Sequence, residues 1–363
     1  RLTDEGLDDP QIRHNEMVVT LDDPGVGSVD QMGVPVKLRG TPGRVHGPRQ
    51  RATSTPPPAG EPTPATPASD APDPLPLAGI RVLEITNLIA GPMAARLLAD
   101  MGADVIKLEP LTGDISRPIA RTYFYSVNFE KRSASIDTSN DRGKALVQSI
   151  AATVDVVLAN LRPGATARMG ISTELNPRLV ETHITGYGFT GPYSRRPGID
   201  PLAQALMGLQ RAQGGAGNPP SFPAQLAPTD FTTGAMGAFG TVLALFARER
   251  GAGPQQVEVN LLDGGVMLSS EWFTRYNGRP VRALADGGQH GHNPMHRLYQ
   301  LQDGWVYVTA DDAASRAAFA EVVGVPDPGL PEMYTPTGAH PNDTDVGAQF
   351  SASLASRTLA DVV

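Results

Sequence analysis

Ile80-Arg81-Val82-Leu83-Glu84-Ile85, then Pro92 to Met101, then Val105-Ile106-Lys107-Leu108, is the stretch whose reading decides the fold. Two short apolar runs flank a longer segment with a helical pattern, which reads as strand, helix, strand. The pattern continues outward. Ala134-Ser135-Ile136-Asp137 reads as a short strand, Arg142 to Thr153 as a helix, Val154 to Leu158 as a strand, and Pro177 to Thr185 ends in another. Strands alternating with helices at this spacing predict an α/β fold with an open, parallel, Rossmann-like sheet covered on both faces. In the turn after the first strand, Ala90-Gly91-Pro92, proline suits the first helical position. The several glycines of a nucleotide loop are missing there, so no NAD is expected. From Asp263 onward the texture changes to short elements. A Gly/His-rich loop from Asp286 to His296 and a β-like run from Trp305 to Thr309 predict a smaller α+β domain. Phe350 to Val363 reads as a helix cut off mid-course.

The 363 residues carry 30 Lys and Arg against 38 Asp and Glu, a net charge of −8, with a pI near 5.4. That balance argues against nucleic acid as a general partner but leaves small anionic ligands open, because local clusters matter more than the total. No apolar run is expected to approach the roughly 20 residues of a membrane span, so no membrane is expected as a partner. The absence of cysteine excludes disulfides, thiolate–zinc sites and a cysteine nucleophile. It fits an intracellular, cytoplasmic enzyme. There is no recognisable secretory signal at the start, and the chain begins at Arg1 rather than Met.

Ala52 to Pro76 contains nine prolines, no Lys or Arg, and one large apolar residue, Leu75. Such a segment cannot bury a core and is expected to be an extended linker. The expected division is 1–51, a linker at 52–76, an α/β domain at 77–262 and a smaller domain at 263–363.

Between His183 and Arg250 stand two acidic residues where an acyl-transfer site could be built. Asp230, in Pro228-Thr229-Asp230-Phe231, sits at the mouth of an apolar run from Ala235 to Ala247 that reads as a buried helix. A carboxylate in the first turn of such a helix is expected to be held ionised by the helix dipole, ready to act as a nucleophile. The alternative is that Asp230 only caps the helix near Thr229. Asp200, in Pro197-Gly198-Ile199-Asp200, either orients the acceptor or helps position Asp230, or it caps a helix from Pro201 to Leu209. Upstream, Gly186-x-Gly188-x-x-Gly191 matches the letters of a dinucleotide fingerprint. Pro192, Pro197 and Pro201 follow it, with Arg195 and Arg196 between, so it reads as a basic loop at the end of a strand. His183 reads as a packed strand residue. His290, His292 and His296 lie on a Gly-rich loop with no nearer carboxylate than Asp286, and no metal is expected there. That loop is expected instead to cover the site and exclude water.

Leu77-Ala78-Gly79-Ile80-Arg81-Val82-Leu83-Glu84, Ala90-Gly91-Pro92, Leu98-Ala99-Asp100-Met101-Gly102-Ala103-Asp104-Val105-Ile106-Lys107-Leu108-Glu109-Pro110 and Gly113-Asp114 resemble the opening of class III CoA-transferases. Asn128-Phe129-Glu130-Lys131-Arg132-Ser133, Ala159-Asn160-Leu161-Arg162-Pro163-Gly164 and Arg168-Met169-Gly170 extend the resemblance. The loop from Gly186 to Pro192, Pro228 to Gly234, and Asn260-Leu261-Leu262-Asp263-Gly264 continue it in order to the C-terminus. The family includes formyl-CoA and carnitine CoA-transferases and the α-methylacyl-CoA racemases. Asp9-Pro10-Gln11-Ile12, Met17-Val18-Val19, Pro24-Gly25-Val26-Gly27 and Gly33 to Gly43 resemble the closing strands of a member. The order is therefore tail, linker, head, as expected for a piece of a tandem fusion, with a circularly permuted domain as the alternative. The resemblance implies an interlocked homodimer or a tandem-domain partner.

It also implies roles. Asp230 matches the aspartate that carries the acyl group, and Asp200 matches a position that is acidic in some relatives. Lys131, Arg132, Arg162 and Arg168 match positions around the CoA chain, Ile89 and Ala90 match positions lining its nucleotide, and Asn160 and Leu161 share the Arg162 motif. Pro110 departs from the pattern where relatives have arginine, which leaves the adenine contact open. Ile199 stands where the racemases have a histidine base, and isoleucine cannot accept a proton. The expected function is CoA transfer from an acyl-CoA to a small carboxylic acid, at a site between the two domains. An acyl-CoA racemase and a catalytically silent half of a tandem enzyme are the alternatives.

Overall fold

The computed structural model describes residues 4–48, 75–223, 226–279, 284–329 and 340–362. The stretch expected as a linker, 52–76, lies outside the described residues except for its last two positions. By its contacts the chain divides into an α/β unit, Asp4–Met207 with Ala227–Tyr276, and a second unit built mainly from Gly208–Leu226 and Asn277–Val363. This division differs from the expected one, and Gly208–Leu226 falls in the second unit. The N-terminal segment packs with the α/β unit, and that unit runs on past Asp263 to Tyr276.

The α/β unit opens with helix α1 (Pro10–His14) and strands β1 (Val18–Asp23), β2 (Gly27–Met32) and β3 (Lys37–Leu38). Then come β4 (Arg81–Ile85), α2 (Ala90–Asp100), β5 (Asp104–Glu109), the short helices α3 (Ser116–Ile119) and α4 (Arg121–Ser126), and β6 (Arg132–Ser135). They are followed by α5 (Asp141–Ala151), β7 (Val156–Ala159), α6 (Ala165–Arg168), β8 (Val180–Thr185) and α7 (Asp200–Leu206). The chain enters the second unit at α8 (Leu209–Gly214) and returns through α9 (Pro228–Glu249), β9 (Gln255–Asn260), α10 (Leu261–Leu268) and β10 (Arg275–Tyr276).

The main sheet has the order β3-β9-β8-β7-β4-β5-β6. All neighbours are parallel except β3, which adds antiparallel to β9. From β4 the chain builds outward through β5 and β6, then crosses back and builds the other way through β7, β8 and β9. The loops after β4 and β7 therefore part from one another, which opens a crevice at the carboxyl ends of the strands. Strand residues alternate between two cores. Val82, Val156 and Leu158 face a core shared with Ala94, Leu98, Met236 and Leu245, while Leu83, Val157 and Ala159 face one shared with Val147, Ala151 and Leu179. The central strands β4 and β7 are buried on both faces, which is why they read as short apolar runs.

Helix α9 corrects the expectation that no segment reaches spanning length. Its 22 residues are long and apolar enough by length and composition, yet half of that stretch is buried inside the protein. Its small residues seat it against α2 and β8. A Cβ on Gly234 would stand 2.8 Å from the Ala90 carbonyl oxygen, and one on Gly237 would stand 2.9 Å from Ile184 Cδ1. Phe239, Val242 and Phe246 on the other side of the helix are exposed.

The second unit contains an antiparallel sheet of β11 (Gly291–Asn293), β12 (His296–Gln300) and β13 (Trp305–Thr309). Helices α11 (Ala313–Val323), α12 (Asp345–Ala355) and α13 (Leu359–Val362) complete it, and Tyr299, Leu301, Phe350 and Leu354 lie in its core. The stretch expected as a loop, 286–296, is thus partly a hairpin. His290 stacks on Trp305 and His296 packs edge-on against Tyr307, so each ring has an aromatic neighbour. The expected helix from Phe350 is broken after Ala355, with α13 as a separate turn.

Candidate active site

A cavity of about 420 Å³ occupies the crevice at the carboxyl ends of the strands. Its walls come from the loops after β4, β7 and β8, together with Leu261 and Asp230. All of these residues belong to the α/β unit.

Seven of the ten site residues expected from the sequence line this cavity: Ile89, Ala90, Asn160, Leu161, Arg162, Asp200 and Asp230. Asn160 earns its place by geometry. Its Oδ1 accepts from the Asn87 backbone N–H at 3.0 Å and its Nδ2 donates to the Asn87 carbonyl at 2.7 Å. This side-chain amide pairs with a backbone amide across the point where strand order reverses, and it ties the β4 loop to β7. Next to the clamp, Leu88 sits at φ 65°, a left-handed conformation that a branched side chain adopts only when its surroundings enforce it.

Lys131, Arg132 and Arg168 do not line this cavity. Lys131 is a buried framework residue, its side chain 2% exposed and its Nζ 2.8 Å from Glu84 Oε2. Burial pushes its pKa down to about 8 even with Glu84 beside it. Arg132 lies at the start of the edge strand β6, the end of the sheet away from the cavity, and forks onto Asp104 at 2.6 and 2.7 Å. Arg168 ends α6 on the surface, with its guanidinium folded back toward Gly164. Lys131 and Arg132 fit an anion by type, but each is engaged by a carboxylate instead.

Lys131 belongs to a paired cluster beneath the β4 loop. Lys107, also 2% exposed, lies 3.0 Å from Glu84 Oε1 and 2.9 Å from Asp114 Oδ2, and donates to the Thr86 carbonyl at 2.9 Å. Burial pushes Asp114 up, but Lys107 and the two hydrogen bonds from Ser116 outweigh it and hold the carboxyl below its usual value. The Lys-Leu-Glu and Gly-Asp motifs quoted above are therefore the frame of the loop.

Asp200 and Asp230 meet at the N-terminus of α9. The buried Asp200 accepts at Oδ1 from the Thr229 N–H at 2.9 Å and the Thr229 hydroxyl at 2.6 Å, with the Asp230 N–H at 3.4 Å. Its Oδ2 accepts from Gln204. Asp200 thus caps α9, a distant helix, and not the helix that it opens itself. Asp230 is the third residue of α9 and does not cap it; Ala227 is the cap residue and makes no side-chain bond. Among the described residues no hydrogen bond or ion pair reaches the Asp230 carboxylate. Burial, with the Asp200 charge added, pushes its pKa up to about 7. The expectation that the helix dipole holds it ionised is corrected, because a first-turn dipole contributes only about 0.3–1 kcal/mol on an exposed surface. Burial and a like charge outweigh that here.

Arg196 also lines the cavity and was read only as part of a basic loop. Its guanidinium lies over the Tyr193 ring, 4.3 Å from the centroid. The N-terminal segment braces this loop. Gln11 donates to the Thr190 carbonyl at 2.9 Å and accepts from the Tyr193 N–H at 2.6 Å, while Asn15 donates to the Tyr187 carbonyl at 3.1 Å. Gly186 and Gly198 pack back to back within the loop, and a Cβ on Gly186 would stand 2.6 Å from Gly198 Cα. His183 is buried on β8 against Phe189, as a packed strand residue should be. The Asn260–Gly264 motif is structural as well. Asn260 and Asp263 bond each other at the start of α10, while Gly264 lets α10 approach Thr233.

Residues 77–363 match the family model for CoA-transferase family III. The chain is 34% identical over 274 residues to succinyl-CoA:glutarate CoA-transferase of Mus musculus, covering 72% of this chain and 62% of that protein. It is 33% identical to the succinyl-CoA–L-malate CoA-transferase beta subunit of Chloroflexus aurantiacus, covering 72% of this chain and 68% of that one. The crystal structure of Rv3272 from Mycobacterium tuberculosis superposes with a TM-score of 0.65 at 28% identity, over 79% of this chain and 78% of that one. The chain thus spans less than two thirds of the length of the mouse relative. From its parallel sheet, the motifs along it and these likenesses, the chain belongs to CoA-transferase family III.

Proposed function

We propose that this protein moves coenzyme A from an acyl-CoA thioester to a free carboxylic acid, with Asp230 as the covalent carrier. The observation that carries this reading is a carboxylate with no hydrogen-bond partner among the described residues, its pKa pushed up to about 7, in a cavity at the switch point of the sheet. Once ionised, Asp230 attacks the thioester carbonyl carbon, the C–S bond breaks, and CoA leaves as thiolate. The resulting mixed anhydride is attacked at the aspartyl carbonyl by that thiolate, which frees the donor acid and leaves an aspartyl-CoA thioester. The acceptor carboxylate then attacks the same carbonyl and expels the thiolate. The thiolate takes the acceptor acyl group and restores Asp230. An anhydride and a thioester are of similar reactivity, so each step is close to reversible.

Arg162 is assigned to the CoA phosphates, because it is an exposed guanidinium on the cavity rim with no ion pair among the described residues. The acids are taken to be short dicarboxylic acids, since the similar proteins act on succinyl-CoA with glutarate or malate. The partner subunit is taken to be a second copy or a tandem half, for which the exposed apolar row Phe239, Val242 and Phe246 offers a surface.

Incubation with succinyl-CoA and hydroxylamine, followed by peptide mass spectrometry, tests the mechanism. The expected result is a hydroxamate or CoA adduct on Asp230 that disappears in Asp230→Asn. An adduct on another carboxylate, or none while CoA binds, would overturn it.

A further inference from the structure

We infer that Arg196 is the residue that reads the second carboxylate of a dicarboxylic acid, and so sets the choice of substrate. This deepens the transfer reading and rests on it. The cavity holds two carboxylates, Asp200 and Asp230, so an acid that brings two more negative charges needs a cation near the reacting carbon. Arg162 and Arg196 are the two arginines in the described wall. Arg162 sits on the β7 loop, beside the Leu88, Ile89 and Ala90 wall. Arg196 sits on the β8 loop, four residues before Asp200, whose side chain caps the helix turn that presents Asp230.

Arg196 is also prepared for a planar anion. Its guanidinium has no ion pair or side-chain hydrogen bond among the described residues, so its donors are open to a ligand. One face of it is held by the Tyr193 ring at 4.3 Å. Tyr193 is held in turn by its N–H to Gln11 and by its hydroxyl to Asp9 at 3.3 Å. A guanidinium fixed on an aromatic ring loses little freedom when it forks onto a carboxylate, and the forked geometry discriminates a carboxylate from a methyl group. The phosphates of CoA, by contrast, lie a full pantetheine arm from the thioester, and the other arginine of the wall is the one assigned to them.

The test is calorimetric binding of glutarate, of valerate (the same chain with one carboxylate), and of CoA, to the wild type, Arg196→Gln, Arg196→Lys and Arg162→Gln. Glutarate is expected to bind the wild type about tenfold or more tighter than valerate. Arg196→Gln should abolish that preference, Arg196→Lys should restore part of it, and CoA affinity should stay unchanged in both. Arg162→Gln should weaken CoA and leave the preference intact. A loss of CoA affinity in Arg196→Gln with the preference retained would assign Arg196 to a phosphate and overturn the inference. Equal weakening of both acids, or a wild type that does not distinguish them, would overturn it too. The hydroxylamine trap on the same samples separates this from the transfer reading. An adduct on Asp230 with no glutarate preference sinks Arg196 alone, whereas no adduct in any sample sinks the transfer mechanism.

Discussion

Two groups of charges in the α/β unit are treated in opposite ways. Under the β4 loop, Glu84, Lys107, Lys131 and Asp114 form a buried set in which every charge has an opposite one within 3.0 Å. At the start of α9, Asp230 has a like charge nearby, Asp200, and no hydrogen bond or ion pair to its carboxylate among the described residues. The first group holds backbone in place. The second leaves one carboxylate available. A carboxylate locked by lysines is a poor nucleophile because its lone pairs are engaged and its basicity is low, whereas burial beside a like charge raises basicity. The difference teaches that burial alone does not mark a reactive group; burial without a partner does.

The sharpest way to break the comparison is to remove one member of each group. Asp230→Asn is expected to lower transfer about a thousandfold or more while the fold is retained, because its carboxylate holds nothing. Lys107→Met should do the reverse to the fold. It leaves Glu84 short of one cation and Asp114 without its ion pair, and a broken buried pair costs about 3–5 kcal/mol. Urea unfolding of both variants checks this. If Lys107→Met unfolds at the wild-type midpoint, the paired cluster is not holding the loop.

How far the sequence revealed all this follows from what each signal depends on. The strand–helix alternation around Arg81–Ile85 and Asp104–Glu109 is local, so the parallel sheet was legible. Asp200 and Asp230 were legible as candidates because both open helices. Their mutual contact was not, since Asp200 caps a helix that begins 28 residues later. The lysine and arginines outside the cavity fit an anion by type, but direction along a strand is a tertiary fact. Lys131 turns inward to Glu84, and Arg132 stands at the wrong end of its strand. Arg196 was missed for the same reason in reverse, because only the fold brings its loop to Asp230. The raised pKa of Asp230 also needed the fold, since the helix position alone argues the opposite sign.

A smaller effect is expected in the loop that joins the two regions. In Gly186→Ala the new Cβ would meet Gly198 Cα at 2.6 Å, so the strand end and the returning loop must separate. Overpacking of this kind costs about 1–3 kcal/mol. It should also shift Ile199 and Asp200, lowering transfer more than it lowers stability. A crystal structure of the variant with an unmoved loop and full activity would show that the close glycine contact does not position the site.

The finest distinction is the pH profile, where Asp200→Asn keeps the shape of the side chain and removes its charge. Asparagine Oδ1 can still accept from the Thr229 N–H and hydroxyl, so the α9 cap is retained. Asp230 reacts as the anion, and its pKa of about 7 makes transfer rise as pH increases through 7. Removing the Asp200 charge takes away the second cause of that shift, so the rise should move to lower pH while burial keeps it above the usual carboxylate range. Stability carries the opposite sign. Because the folded pKa lies above the ordinary 3.8, the folded protein binds the Asp230 proton more tightly than the unfolded chain does. Its ionisation therefore destabilises the fold progressively from about pH 4 to about pH 7, and not below. Asp230→Asn should gain stability over the wild type across that window and match it under acid. Unfolding midpoints from pH 3 to 8 for the wild type and both variants test the two signs together. A profile of Asp200→Asn that rises at the wild-type pH would leave burial as the sole cause and remove Asp200 from the electrostatics of the site.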